Sequence, residues 1–127
     1  MVGLYVNNNT RERYAFRIIC GDKTVETRTK RAARAFLNSG VLPGQRIAII
    51  VNGKVYGYVT FEGIKNYETL EEFRADTILH KVAPGSAFDF DPKRGKVGLV
   101  FSNPKVREMK DWNREVKRLH GYTWTTV

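Results

Sequence analysis

The sequence predicts an α+β fold, and three observations carry that prediction. Runs rich in β-branched and apolar residues recur along the chain, among them Val2 to Val6, Lys23 to Arg28, Arg46 to Val51 and Lys54 to Phe61. Between them lie stretches with helical spacing, of which residues 30 to 38 are the clearest, with Ala32, Ala33, Phe36 and Leu37 on one side. Asn52-Gly53 joins two of the extended runs and is a strong short hairpin signal. At 127 residues the chain fits one compact domain, spanning 1 to 127 and burying roughly two-thirds of the surface its unfolded form exposes.

Val2 to Val6 reads as a first strand, interrupted by the turn-forming Asn7-Asn8-Asn9. Asn9 or Thr10 can cap a helix running to about Ile19, which Gly21 stops in the left-handed conformation. KTVETR follows as a strand, so alternation places Lys23, Val25 and Thr27 on one face and Thr24, Glu26 and Arg28 on the other. Thr29 caps the second helix, whose outer side carries Lys30, Arg31 and Arg34, and Gly40 ends it. Pro43-Gly44 turns into RIAIIV, which is apolar on both faces and therefore central in a sheet. KVYGYVTF returns from the hairpin with Tyr56, Tyr58 and Thr60 on one face. From Glu68 to His80 the spacing of Leu70, Phe73 and Ile78 predicts an imperfect amphipathic helix capped by Thr69. After a break at Pro84-Gly85-Ser86 and a short extended piece through Phe88 to Pro92, Val97 to Phe101 reads as a strand. Val106, Met109, Trp112, Val116 and Leu119 then recur every three or four residues, which predicts a helix over 104–120 ending at Gly121. Its opposite face is basic, with Lys105, Arg107, Lys110, Arg114, Lys117 and Arg118, and YTWTTV closes the chain as a strand.

The formal net charge of +9 is distributed unevenly. Residues 1 to 34 carry 8 basic and 3 acidic groups, residues 92 to 127 carry 9 and 3, and residues 62 to 91 carry 3 and 7. Basic ends around an acidic middle attract polyanions, so nucleic acid or a nucleotide is the partner class this charge points to. Solubility alone is the competing explanation. The longest apolar run, Ile47 to Val51, is too short to cross a bilayer, and Met1-Val2-Gly3 opens no signal peptide, so a cytoplasmic protein with no membrane partner is expected. Cys20 is the only cysteine, which excludes an internal disulfide and is read as a small buried hydrophobe. Two histidines far apart, with no carboxylate at ligand spacing around His120, offer no metal site, and no cofactor is expected.

The order helix, GDKTVETR, helix, PGQRIAII, NG, KVYGYVTF, TLEEF resembles the ASCH family, a branch of the PUA-like superfamily. Gly21, Lys23, Glu26 and Arg28 fill every position of the family's G-x-K-x-x-E-x-R hallmark, and the downstream pattern matches residues 43 to 73. The resemblance spans about residues 12 to 101 and leaves the basic helix at 104–120 as an elaboration. It implies a small PUA-like β-barrel with helices packed around it and a cleft beside the motif, in a fold whose relatives often bind RNA. Some relatives are amidohydrolases acting on 4-acetylcytidine, using the motif lysine, a threonine three residues later and a distant glutamate. Others have been described as ribonucleases or transcription-coactivator modules. Here Glu26 stands where the amidohydrolases have threonine, which weakens that assignment.

The residues themselves allow two chemistries. Lys23 can hold a phosphate or a base carbonyl as a cation, or act as base or nucleophile if burial lowers its pKa. Glu26 and Arg28 lie on one strand face about 7 Å apart, close enough for the guanidinium to orient the carboxylate and keep it ionised. Such a carboxylate accepts from a base edge or deprotonates water. Lys23 joins this pair only if the strand is irregular after Gly21. His80, four residues after Asp76, can stack on that carboxylate and move protons, or be an ordinary histidine buried at a helix end. Tyr56 and Tyr58 can stack bases or be half core.

The leading expectation is therefore an RNA- or nucleotide-binding module. Gly21, Lys23, Thr24, Glu26, Arg28, Tyr56 and Tyr58 would form its ligand site, and Lys30, Arg31, Arg34, Lys110, Arg114, Lys117 and Arg118 would grip backbone, RNA being favoured over DNA. The alternative is a hydrolase, an amidohydrolase on 4-acetylcytidine-type nucleosides or a ribonuclease, with Lys23, Glu26 and His80 as catalytic groups. A module reading acidic protein partners would explain the charge but gives GDKTVETR no purpose.

Overall fold

The computed structural model describes residues 1–118 and 122–127. Six strands form one sheet: β1 (Val2–Tyr5), β2 (Val25–Arg28), β3 (Arg46–Val51), β4 (Lys54–Tyr67), β5 (Lys96–Val106) and β6 (Trp124–Thr126). Their spatial order is β2-β5-β4-β3-β1-β6. Every neighbouring pair is antiparallel except β1 with β3, which run parallel. The expected closed barrel does not form. β2 pairs with β5 and β6 pairs with β1, and these two short outer strands share no ladder, so the sheet stays open. Among the described residues no helix is long and apolar enough to cross a membrane.

The elements nearest the motif follow their local chemistry. Helix α1 (Tyr14–Ile19) begins later than the Asn9 or Thr10 cap predicts. The Asn9 side chain instead accepts from the backbone of Arg11 at 3.2 Å and of Glu12 at 2.8 Å, and Arg13 adopts a φ of 53°, so the chain turns before it coils. Gly21 ends the helix as expected, with a φ of 84° and its N–H on the Ile18 carbonyl at 3.1 Å. Helix α2 (Lys30–Leu37) is capped by Thr29, whose hydroxyl accepts from Ala32 N–H at 3.1 Å. β3 is central and buried on both faces, which its apolar run IAIIV requires. Its residues feed two cores: Ile47 and Ile49 join the large one with Leu4, Ile18, Phe36 and Phe61, and Ala48 and Ile50 join Val55 and Val116 on the other face.

The hairpin at Asn52-Gly53 forms with φ of 50° and 77°, both left-handed. β4 runs on to Tyr67, beyond the expected end, because register shifts after Tyr58 and Phe61 and a φ of 130° at Gly63 let it bend with the sheet. The helix expected over residues 68 to 80 is capped by Thr69 but splits at Asp76 into α3 (Leu70–Ala75) and α4 (Thr77–His80).

The largest correction lies after Phe101. Residues 104–118 form no α-helix: β5 continues through Pro104 to Val106, a 3-10 turn follows at Met109–Asp111, and Glu115 bridges Lys54. Pairing with β4 competes with the helical periodicity and wins, as Gly57 opposite Val106 and Tyr58 opposite Lys105 continue an existing ladder. Val116 then docks as extended chain, its N–H on the Gly53 carbonyl at 2.7 Å. Leu119, His120 and Gly121, the expected end of that helix, lie outside the described residues. Cys20 is exposed rather than buried, since it sits at the solvent side of the α1 terminus.

Candidate functional site

The G-x-K-x-x-E-x-R stretch enters the sheet through a turn. Lys23 N–H bonds to the Arg17 carbonyl at 3.0 Å and Thr24 N–H to the Leu79 carbonyl at 3.0 Å, so the strand begins only at Val25. Strand alternation therefore never applies to Lys23, and its side chain swings round to Glu26. Nζ lies 3.3 Å from Glu26 Oε1, donates to the His80 carbonyl, and stands 4.3 Å from the centre of the Tyr14 ring. Lys23 is 1% exposed and Glu26 5%. On the other carboxylate oxygen, Oε2, Arg28 donates from Nε at 3.1 Å and from Nη2 at 2.8 Å, and Nη2 also reaches the Tyr5 carbonyl at 2.6 Å.

This geometry sets the charges. Burial alone would push the Glu26 carboxyl up, but Arg28 and Lys23 together outweigh it and hold the group below the usual carboxylate range. Burial pushes the Lys23 ammonium down, against the pull of Glu26. The result is an ionised carboxylate fixed between two cations, with Arg28 at its open side.

Glu26 and Arg28 line a cavity of about 520 Å³ between β1, β2, α1 and the Asn52-Gly53 hairpin. Its walls include Tyr5, Asn7, Tyr14, Phe88, Arg118 and Thr123, but not Lys23. Among the described residues, two buried hydroxyls of these walls, those of Tyr14 and Thr123, have no hydrogen-bond partner. The Tyr14 phenol is pushed up to about 12 by burial and then by Glu26, so it is a donor lacking an acceptor.

The other sequence-predicted residues disperse. His80 is fully buried; Nε2 lies 2.6 Å from the Phe73 carbonyl and Nδ1 accepts from Val82 N–H at 2.9 Å, so the pair with Asp76 does not form. Asp76 accepts from the Tyr67 hydroxyl at 2.7 Å and pairs with Lys65 at 2.5 Å. His80 reaches the motif through its backbone carbonyl alone. Tyr58 donates to the buried Asp111 carboxylate and Tyr56 lines a separate apolar groove, so neither stands beside Glu26. Thr24 is half-buried and serves the ladder, its carbonyl accepting from Phe101 N–H at 2.8 Å.

Lys30 pairs with Glu68 at 3.0 Å on the surface, and Arg31 and Arg34 are likewise exposed on α2. Without its helix the second basic face separates. Lys110 meets Glu108 at 3.4 Å, Arg114 meets Asp111 at 3.8 Å and Lys117 faces solvent. Arg118 instead folds into the cavity wall, with its guanidinium carbon 5.0 Å from the Tyr5 ring centre. Tyr5, Tyr14, Phe88 and Thr123 escape sequence reasoning because they come from four distant segments that only the fold brings together. The one local signal was the tyrosine on the inward face of the helix before the motif.

No family model matches the sequence, and no curated protein matches it. Solved structures do match by shape. The crystal structure of ASCH from Zymomonas mobilis superposes with a TM-score of 0.66 at 14% identity, over 99% of this chain and 86% of that one. Two single-residue variants of that protein give TM-scores of 0.65 and 0.61 at 15% and 16% identity, covering 99% and 83% of this chain and 88% and 69% of theirs. The chain has the ASCH fold.

Proposed function

We propose that the chain binds RNA or a nucleotide, with a base held in the cavity beside Glu26 and Arg28. The observation that carries this reading is a cavity of about 520 Å³ that combines an ionised carboxylate with aromatic walls and hydroxyls that find no partner among the described residues. Glu26 accepts from an exocyclic amino group such as that of cytosine. Tyr14 and Phe88, themselves packed edge to face with ring centres 5.5 Å apart, offer apolar faces for a base. Arg118 at the wall meets phosphate, and Arg31 and Arg34 extend the basic surface. Lys23 acts from behind, keeping Glu26 charged and aimed.

The hydrolase alternative assigns Lys23 the attack on an acyl or phosphoryl centre. Burial lowers its pKa in the direction a base requires. Its amine, however, is enclosed by the His80 carbonyl, Glu26 and the Tyr14 ring and does not line the cavity, which favours binding.

Calorimetric titration with cytidine monophosphate is the test. Glu26→Gln keeps the shape but exchanges an acceptor for a mixed donor, and Arg118→Ala removes a cation without touching the core. Both should weaken binding about tenfold or more. Unchanged affinity in both variants would overturn the reading. Turnover of 4-acetylcytidine by the wild type that disappears in Lys23→Ala would replace it with the hydrolase.

A further inference from the structure

We propose that the outward face of α1, together with residues 106 to 112, is a second docking surface that stacks unpaired bases of single-stranded RNA. The proposal rests on the binding function above for its ligand class, but on different residues. Tyr14, Ala15 and Ile18 turn one side of α1 to the interior, which leaves Phe16, Ile19 and Cys20 at i, i+3 and i+4 on the opposite side. Across from them stand Tyr56, Val106 and Trp112, enclosing an apolar groove of about 410 Å³. Phe16 is 39% exposed, Trp112 52% and Val106 72%, an aromatic and apolar patch that the fold leaves uncovered.

The charges on this patch identify what covers it. The Arg107 guanidinium lies 3.5 Å from the centre of the Trp112 ring and that of Arg13 lies 4.2 Å from the Phe16 ring. Among the described residues neither guanidinium is paired with a carboxylate, as those of Arg31 and Arg34 also are not. Two aromatic faces each carrying an uncompensated, ring-stacked guanidinium match a polyanion whose monomers have flat π-surfaces. An acidic peptide would satisfy the charge but bring no π-surface to stack on the guanidinium planes. The cavity takes Tyr14 from one side of α1, and this groove takes Phe16, Ile19 and Cys20 from the other.

Fluorescence anisotropy with a uridine homopolymer of about twelve nucleotides tests the surface, alongside titration of cytidine monophosphate. Trp112→Ala should weaken homopolymer binding about tenfold, Trp112→Phe should restore most of it, and neither should change mononucleotide affinity. Arg107→Gln should weaken the homopolymer and reduce its salt dependence. Homopolymer affinity unchanged in both Trp112→Ala and Arg107→Gln overturns the proposal. A polyglutamate peptide that binds through Trp112 when the homopolymer does not also overturns it, in favour of an acidic protein partner. If mononucleotide binding is absent while the Trp112 dependence persists, the cavity reading fails and this one stands.

Discussion

Glu26 holds together three separate segments of the chain: the turn before β2, β2 itself and, through Arg28, the end of β1 at the carbonyl of Tyr5. Removing one member of a buried charge set leaves the rest uncompensated, so Glu26→Ala should cost about 3 to 5 kcal/mol in urea unfolding. Lys23→Met should cost less, because Arg28 still neutralises the carboxylate. Acid acts through the same group. Its folded pKa lies below the unfolded value of 4.5, so its stabilising contribution is complete above that pH and is lost as pH falls through the folded value. Denaturant midpoints should therefore fall below about pH 4.5 in the wild type, and less steeply in Glu26→Gln. His80 takes the second of the two readings its sequence allows, an ordinary histidine buried at a helix end. A histidine four residues after an aspartate looks like a proton relay, yet burial offered its ring two backbone partners and gave the aspartate to Tyr67 and Lys65.

Elements show a different division. Helix α2, the Asn52-Gly53 hairpin and the central position of β3 were legible because caps, left-handed residues and an unbroken apolar run are local signals. Residues 104–118 were not, because their three-to-four spacing fits a helix as well as it fits the contacts they make. Met109 is exposed, Trp112 is half-exposed and Val116 is buried, so the apparent stripe faces no single surface. What anchors this segment is Asp111, fully buried and bonded by the Tyr58 hydroxyl, whose pKa burial and then Asp111 push up to about 12. Tyr58→Phe leaves that carboxylate short of a donor and should destabilise by about 1 to 3 kcal/mol, with faster hydrogen exchange confined to residues 107 to 118. Packing between elements is just as tight at Gly57, where an added Cβ would lie 2.6 Å from the Lys105 carbonyl and press on Ile19. Gly57→Ala should lower stability by about 1 to 3 kcal/mol, read as a lower thermal midpoint.

For the molecule as a whole, the +9 charge was legible in kind but not in placement. One basic helix was expected to grip backbone; instead Arg118 turns to the cavity, Arg107 lies on Trp112, and Lys110 and Arg114 are drawn to carboxylates. The proposed RNA affinity should accordingly fall with salt, and each of Arg31, Arg34, Arg107 and Arg118 that meets a phosphate should lower the log–log slope by about 0.7 when neutralised. Slopes unchanged in all four variants would remove phosphate contact from the binding account.

By itself the sequence determined the capped second helix and the hairpin, which depend on neighbours within a few positions, and with them the α+β class; the sign of the net charge follows from composition alone. Tertiary structure alone decided that Lys23 meets Glu26, that the sheet stays open, that the C-terminal segment is extended, and that Tyr5, Tyr14, Phe88 and Thr123 share one cavity. These outcomes turn on which distant backbone groups find hydrogen-bond partners and which side chains leave water together, and no local pattern encodes that competition.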